Sequence, residues 1–198
     1  MKQEEKLSYI LGFFIGDGNL GNGYIIRAVE ENKEFIEEYS KIFFDIFQKM
    51  PKIYFDKFNN SYVAYVHSKR IWKHFVNILE VPPGTKSRIV AIPRIISDSS
   101  ETVKKEFIAG IFDAEGSITN MKDSHHRHGY PRIQFKVCSR KLAEDVFTML
   151  TSFGIGAKLY TYHDFSVIHI NGRKECTLFH ERVGFKHLIK NKKLRTLL

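Results

Sequence analysis

A nine-residue pattern that occurs twice constrains the fold of this chain more than any other feature. The first copy spans Ile10 to Gly18 (ILGFFIGDG), and the second spans Ile108 to Gly116 (IAGIFDAEG), 98 residues later. Both copies are apolar, carry small residues four positions apart, and end in an acid followed by glycine. A segment duplicated at this spacing in a chain of 198 residues indicates two structural repeats of similar size.

The segments that follow each copy repeat in kind. Strand-like stretches at 24–30 and 132–138 each precede an amphipathic helix, in which apolar residues recur at i, i+3, i+4 and i+7. Two short strands and another helix come next, the strands at about 53–58 and 62–67 and at about 157–162 and 165–170. We therefore predict an α+β protein of two αββαββα repeats. A polar stretch at 97–101 sets the predicted boundary, with an N-terminal repeat at 1–98 and a C-terminal repeat at 99–198.

Small residues predict that the two nonapeptides are closely packed helices. These residues are Gly12 and Gly16 in the first copy and Gly110 and Ala114 in the second. Four-residue spacing places them on one helix face, where another backbone can approach closely. The predicted partner of each helix is its counterpart in the other repeat, related by pseudo-twofold symmetry. Gly18 and Gly116 are predicted to end the helices in the left-handed conformation.

Asp17 and Glu115 are predicted in the last turns of these helices, where the dipole end is negative. An acid at that point is disfavoured by roughly 0.3–1 kcal/mol, and two packed helices add like-charge repulsion. A hard cation such as Mg²⁺ resolves both problems, because it binds carboxylate, carbonyl and water oxygens. The sequence therefore predicts a divalent metal bound by one acid from each repeat.

Composition narrows the functional class. Lys and Arg total 31 against 22 acids, a formal net charge of +9, which suits a polyanionic partner. Two cysteines, Cys138 and Cys176, exclude a disulfide-dense secreted scaffold and a four-thiolate zinc site. The uncharged run at 7–16 is shorter than the roughly 20 residues that cross a bilayer, and no signal-peptide pattern precedes it. We expect an intracellular protein, cytoplasmic or organellar, with no membrane partner.

The two nonapeptides resemble the paired signature helices of the LAGLIDADG homing endonucleases, in their single-chain, two-repeat, archaeal intron-encoded form. Residues 81–93 (VPPGTKSRIVAIP) and 183–190 (VGFKHLIK) are similar to further segments of that family. The resemblance covers nearly the whole chain. It implies two four-stranded antiparallel sheets that form a DNA-binding saddle around paired interface helices. The implied activity is that of a monomeric, site-specific endonuclease that hydrolyses both strands of a long asymmetric duplex.

The resemblance also implies roles for individual residues. Asp17 and Glu115 match the catalytic acids that bind Mg²⁺, with Mn²⁺ or Ca²⁺ able to substitute in binding. The backbone carbonyls of Gly16 and Ala114 are candidate additional ligands. A water activated by the metal would attack phosphorus.

Two further positions in each half bear on catalysis. Lys86 and Lys190 match the basic residue that the family places near the metal, where it could orient water or stabilise charge on phosphate. Many relatives carry Gln or Lys at the end of the first long strand, where alignment places Glu30 here, with Ser139 in the second half. Glu30 adds negative charge near a site that must accept phosphate.

One strand carries the clearest signal for reading DNA. In residues 132–137, Arg132, Gln134 and Lys136 alternate with apolar residues, so they share one face. Arg pairs with guanine and Gln with adenine in the major groove. Together with the resemblance, this face is predicted to contact DNA. The other candidate contacts are Arg27, Tyr54, Lys57, Lys122, Arg127, Lys158 and Tyr160.

Two other functions stay open at this point. A relative that has lost or weakened cleavage would bind DNA as a sequence-specific protein, and Glu30 is the residue that favours it. An RNA maturase of a host intron would use a second basic surface, for which residues 186–195 are a hint. The chain has neither the Cys or Ser start nor the His-Asn end of a splicing element, which favours intron homing by a free-standing enzyme. Structural zinc at the histidines of residues 124–129 is less favoured than a DNA-contacting loop.

Overall fold

The computed structural model describes residues 1–122 and 129–198. Its helices and strands follow the predicted αββαββα order in both halves. The first half consists of α1 (Gln3–Asp17), β1 (Gly18–Gly21), β2 (Ile25–Glu30), α2 (Lys33–Phe47), β3 (Lys52–Asp56), β4 (Ser61–His67) and α3 (Lys69–Asn77), followed by the short α4 (Arg94–Ser97). The second half consists of α5 (Glu101–Glu115), β5 (Gly116–Met121), β6 (Tyr130–Val137), α6 (Arg140–Ser152), β7 (Lys158–Thr161), β8 (Ser166–Asn171) and α7 (Gly172–Arg182), followed by α8 (Leu188–Leu197).

Each half contains a four-stranded antiparallel sheet. The strand orders are β1-β2-β4-β3 and β5-β6-β8-β7, so the two sheets have the same topology. Strand β6 shows why the sheet has two unlike faces: Ile133 and Phe135 are fully buried, while the intervening side chains point away from the core. The predicted fold class, α+β with two such sheets, is confirmed.

The chain divides into two compact units. The first comprises residues 1–86 and 93–114, and the second comprises residues 87–92 and 115–198. Helix α5 therefore packs within the first unit up to Ala114, although its sequence pattern begins the second repeat. The boundary at residue 98 was predicted from the sequence repeat and not from compactness, and it stays a prediction. Among the described residues, no helix is both long and apolar enough to cross a bilayer.

Aromatic side chains fill the core of the first unit. Phe14 of α1 contacts Phe75 of α3 with ring centroids 4.6 Å apart, and Phe13 contacts Tyr39 of α2 at 4.9 Å. All of these rings are buried, and aromatic burial of this kind stabilises a small core strongly. Helix α1 is anchored by these contacts, which fix the position of its C-terminal residue, Asp17.

The core of the second unit is built on β6 and β8. Phe135 and Ile168 are fully buried there, and α6 covers the same sheet face with Val146 and Leu150. The polar side chains of β6 are left on the opposite face. The amphipathic patterns that predicted these elements therefore also determine which sheet face is available to a partner.

The prediction that glycine ends the signature helices in a left-handed conformation is wrong. Gly18 has φ −95° and ψ 161°, which is extended backbone, and it begins β1 directly. Gly116 begins β5 and also lies outside the left-handed region. Glycine is needed at position 18 for space, because a Cβ there would lie 2.3 Å from the ring of Phe14.

Candidate functional site

Helices α1 and α5 contact each other through their backbones. A Cβ placed on Gly12 would lie 2.2 Å from the carbonyl oxygen of Phe107. A Cβ on Gly110 would lie 2.1 Å from the carbonyl oxygen of Tyr9. Tyr9 and Phe107 occupy equivalent places in the two sequence copies, so the two contacts are related by the repeat. Glycine at both points is required by the approach of the opposite backbone.

A buried polar pair joins the same two helices. The hydroxyl of Tyr9 donates a hydrogen bond of 2.7 Å to the Asp113 carboxylate, and both residues are buried. Burial, followed by the Asp113 carboxylate, raises the pKa of Tyr9 well above its usual value. The equivalent positions in the repeat are Phe107 and Ile15, so the symmetric contact is apolar. The sequence analysis did not predict this pair. Its signal is that Tyr9 and Asp113 are polar, whereas the equivalent residues of the other repeat are apolar.

The two acids lie where the nonapeptides predicted them. Asp17 is the last residue of α1 and Glu115 is the last residue of α5, and both are half-buried. The last turn of each helix, fully described in both cases, contains no basic residue. Each carboxylate therefore lies at the negative end of a helix dipole, and the last turn of its own helix supplies no cation to offset it.

Lys86 lies beside the first of these acids. Its Nζ donates a hydrogen bond of 3.0 Å to the carbonyl oxygen of Gly16, the residue before Asp17. The side chain is buried, with 8% of its surface exposed. The loop that carries it is attached to β1, because the Gly84 amide donates to the Leu20 carbonyl at 3.0 Å. The structure thus brings together three of the predicted site residues of the first half.

Lys190 occupies a different setting in the second half. It is half-buried in the first turn of α8, a helix that packs against β5 and β6. Strand β5 begins immediately after Glu115. The lysine of the first half is therefore carried by a loop and that of the second by a helix, although the two lysines were predicted to be equivalent.

The oxygen donors at the ends of α1 and α5 are of the kind that binds Mg²⁺. Among residues 1–122 and 129–198, no group of three or more His, Cys, Asp or Glu side chains could hold a metal ion by itself. Mg²⁺ is usually bound by one or two carboxylates together with substrate phosphates. Asp17 and Glu115, with the carbonyls of Gly16 and Ala114, are hard oxygen donors of the kind that Mg²⁺ prefers.

The equivalence of Glu30 with Ser139 is wrong. The pairs that fix the register are Gly18 with Ala28 and Gly116 with Phe135. Ala28 is therefore equivalent to Phe135. Two residues farther along, Glu30 corresponds to Val137, and four residues farther along, Asn32 corresponds to Ser139. Asn32 and Ser139 indeed act alike, because each caps the following helix by accepting a hydrogen bond from a backbone amide in its first turn.

Glu30 has a structural contact of its own. Its carboxylate accepts a hydrogen bond of 2.9 Å from the backbone amide of Asn32, the residue that caps α2. Glu30 lies two residues after Ala28 in β2, and residues two apart in a strand share one face of the sheet. Because Ala28 faces the core, Glu30 lies on the same, helix-covered face. The Glu30 carboxylate therefore forms a hydrogen bond at the start of α2.

We expect Ser139→Ala to lower the free energy of unfolding by about 1–3 kcal/mol. The Ser139 hydroxyl donates to the Val90 carbonyl at 2.6 Å and accepts from the Leu142 amide at 3.2 Å, and the side chain is buried. Urea unfolding measures the change. Ser152→Ala is the control, because that hydroxyl bonds only within its own helix end, and we expect a change below about 0.5 kcal/mol. Equal effects of the two substitutions would contradict the assignment.

The outer face of the second sheet is polar and organised. Arg132, Gln134 and Lys136 of β6 lie on it, as predicted from their alternation. Arg132 Nε donates to the Asn171 side-chain oxygen at 2.6 Å, and Lys136 Nζ lies 4.1 Å from the centroid of the Phe165 ring. Lys158 and Tyr160 of β7 are exposed on the same face. Hydrogen bonds across the face fix side chains that would otherwise be mobile.

The outer face of the first sheet carries a cation that sequence reasoning missed. Lys52 is exposed and pairs with Tyr65, as Lys158 pairs with His169 in the second sheet. The signal was a tripeptide present in both halves: Lys-Ile-Tyr at 52–54 and Lys-Leu-Tyr at 158–160. Arg27, also exposed, lies across from Tyr65 on this face.

The remaining candidate contacts are distributed around these faces. Tyr54 is exposed in β3, and Lys57 is exposed in the turn after that strand. Lys122 is exposed just after β5. Arg127, with the histidine cluster, lies outside the described residues.

Comparisons with known proteins identify what this fold is similar to. Residues 102–184 match the model of a family described as a LAGLIDADG-like domain. The structure of I-DmoI in complex with DNA and Mn superposes with a TM-score of 0.65 at 20% identity, over 94% of this chain and 99% of that one. Full-length WhiA from Thermatoga maritima superposes with a TM-score of 0.65 at 16% identity, over 98% of this chain and 61% of that one. At these identities the likenesses establish the fold.

Curated relatives in sequence are much longer proteins. The chain is 31% identical over 115 residues to a probable translation initiation factor of Thermococcus kodakarensis, covering 58% of this chain and 9% of that protein. It is 27% identical over 201 residues to a glutamine–fructose-6-phosphate aminotransferase of Methanocaldococcus jannaschii, covering 98% of this chain and 17% of that protein. The chain therefore spans a small part of the length of these relatives.

Proposed function

We propose that the protein is a site-specific DNA endonuclease that uses a divalent metal. Two likenesses support the proposal: residues 102–184 match the model of a LAGLIDADG-like domain, and the chain shares its fold with I-DmoI over 94% of its length. One observation carries the proposal: both signature helices end in a half-buried acid, with a buried lysine bound beside the first. A stable helix end would favour a cation at these positions. Two acids retained there are accounted for by a ligand that needs them.

The proposed mechanism assigns one step to each group. Asp17 and Glu115 would each supply a carboxylate to divalent metal, and the Gly16 and Ala114 carbonyls are the further candidate donors. When bound, a divalent metal supplies an activated water and neutralises charge on the leaving oxygen of a phosphodiester. Lys86, held against the Gly16 carbonyl, places a positive charge where the scissile phosphate becomes more negative. Lys190 is the proposed counterpart in the second half.

The two outer sheet faces are the proposed DNA-reading surfaces. Lys52 and Lys158 supply charge to the phosphates at equivalent places, and Tyr54 and Tyr160 lie two residues on. The polar row of β6 supplies donors toward base edges. Because the two sheets carry different side chains at equivalent places, the proposed target sequence is asymmetric. A single chain supplies both DNA-binding faces. We propose a monomer that acts on DNA within the cell or an organelle, in intron homing.

A second candidate is a DNA-binding protein of this fold that does not cleave. The likeness to WhiA supports this candidate, because its N-terminal LAGLIDADG domain superposes with a TM-score of 0.62 at 15% identity over 96% of this chain. Maturase activity on intron RNA is the third. Retention of both helix-end acids favours the nuclease over both alternatives.

Selection from randomised nucleic acids separates these functions. Duplex DNA and structured RNA libraries are offered in competition at several salt concentrations, and the bound molecules are sequenced. We expect one long duplex sequence to be enriched, with affinity that falls as salt rises. Enrichment of RNA over duplex DNA would overturn the proposal in favour of the maturase.

Lys86→Met tests the role of the buried lysine. The side chain keeps its length but loses the charge and the hydrogen bond to Gly16. We expect cleavage to slow roughly 100-fold, with binding changed little, because the charge acts on the developing negative charge of the phosphate. Single-turnover cleavage and a binding titration measure the two effects. Lys174→Met, on an exposed lysine of α7, is the matched control, and an equal loss in both variants would refute the assignment.

A further inference from the structure

Gln134 is held by a neighbour on the next strand. The ring Nε2 of His169 in β8 lies 3.1 Å from Oε1 of Gln134 in β6, and the two residues are directly paired across the sheet. Since Oε1 can only accept, the histidine nitrogen donates. On its other side, the His169 ring contacts the Tyr160 ring, with centroids 5.2 Å apart. The histidine is thus fixed between β6 and β7.

The hydrogen bond restricts which atoms of the amide a partner can use. It joins two residues that are paired across the sheet, so Oε1 is engaged with His169 of β8. The Gln134 NH₂ group is the part of the amide that remains for a partner lying on the face. Burial, and then the charge of Arg132, lower the pKa of His169, which favours the neutral ring with a single N–H. That N–H is used by Gln134.

This arrangement changes the expected base preference. A glutamine recognises adenine by presenting its oxygen and its NH₂ together to N6 and N7. A glutamine that presents only NH₂ donors meets the exocyclic donor of adenine unfavourably. Guanine offers two acceptors, O6 and N7, at the same edge, and thymine offers one.

Arg132, the preceding residue on this face of β6, is also held by hydrogen bonds. Arg132 is fixed by Nε donating to Asn171 Oδ1 at 2.6 Å and by Nη2 donating to the Tyr130 hydroxyl at 3.2 Å. A guanidinium has donors only. Residues of β8 therefore hold two successive outward residues of β6, both with donors toward the partner.

We propose that His169 is a positioning residue that fixes the Gln134 amide with its NH₂ outward, so that this point of the sheet selects guanine over adenine. The inference rests on the proposed function, because it assumes that the face reads DNA. It departs from the adenine preference that glutamine alone would suggest.

The first test needs no DNA. Nitrogen NMR of the histidine ring in the full chain is expected to show His169 protonated on Nε2, with a hydrogen bond lost in Gln134→Ala. A ring protonated on Nδ1, with Nε2 accepting from the amide NH₂, would overturn the inference, since the oxygen of Gln134 would then be outward.

The second test reads base preference at single positions. Wild type, His169→Phe and Gln134→Ala are each selected against a randomised duplex library. The phenylalanine keeps the ring contact with Tyr160 and removes the N–H. We expect the ratio of adenine to guanine at one position to rise roughly tenfold or more in His169→Phe, with the other positions unchanged. Gln134→Ala is expected to lose preference at that same position.

The outcomes separate the inference from the proposed function. A wild-type protein that enriches a duplex sequence, with His169→Phe giving the same base profile, overturns the role of His169 and leaves the endonuclease proposal standing. A loss of preference spread over many positions in His169→Phe also overturns it, since that indicates a general structural role. A wild-type protein that enriches no duplex sequence overturns both.

Discussion

Asp17→Asn and Glu115→Gln are each expected to lower the rate of double-strand cleavage roughly 10²–10³-fold or more while the protein still binds its target. Each substitution keeps the shape of the side chain and removes the charge that binds a hard cation. Each acid also lies at the negative end of a helix. Removing its charge also removes the unfavourable interaction with the helix dipole, which by itself is worth about 0.3–1 kcal/mol. A variant that is more stable than wild type, still binds the target DNA and no longer cleaves it shows that the replaced acid serves function and not stability.

Single-turnover cleavage, target binding and urea unfolding measure the three quantities for each variant. Glu181→Gln is the matched control, because Glu181 is an exposed acid in the last turn of α7. We expect it to leave cleavage unchanged. Cleavage at the wild-type rate by both Asp17→Asn and Glu115→Gln would refute the assignment of the two acids.

Gly110→Ala is expected to lower the free energy of unfolding by about 2–3 kcal/mol. The added Cβ would lie 2.1 Å from the Tyr9 carbonyl oxygen and 2.9 Å from the Phe13 amide nitrogen. Both contacts are with backbone atoms, which cannot move away by changing rotamer as a side chain can. Alanine inside a helix ordinarily stabilises by about 0.5–1 kcal/mol relative to glycine, so the close approach reverses the usual sign.

Gly12→Ala should behave in the same way, because its added Cβ would lie 2.2 Å from the Phe107 carbonyl oxygen. Thermal and urea unfolding report the loss. Thr148→Ala, on the exposed face of α6, is the control and should change stability by less than about 0.5 kcal/mol. Gly110→Ala and Gly12→Ala proteins as stable as wild type would show that α1 and α5 do not pack as described.

Features encoded locally were predictable from the sequence. The duplicated nonapeptides marked both signature helices and placed Asp17 and Glu115 at their ends. Alternation in β6 placed Arg132, Gln134 and Lys136 on one face, because the side-chain period of a strand is two. These features depend on residues close together in the chain, and helix and strand periodicity is enough to define them.

Features that depend on pairing between distant segments were not predictable in this way. The equivalence of Glu30 with Val137 rests on which residues pair in β1–β2 and β5–β6, and the two halves differ in length between those strands. The Tyr9–Asp113 hydrogen bond joins residues 104 apart in the chain. Gly18 has an extended conformation because β1 follows α1 without a turn, and a strand of four residues leaves almost no pattern to detect.

Cleavage of the selected target tests the central claim most directly. The duplex recovered by selection is labelled on both strands and incubated with the protein in Mg²⁺, in Mn²⁺ and in EDTA, and the ends are mapped at nucleotide resolution. The account predicts one cut in each strand within the bound sequence in Mg²⁺, and no cut in EDTA. Sequence-selective binding with both strands intact in Mg²⁺ and in Mn²⁺ would contradict it and leave a DNA-binding protein of this fold.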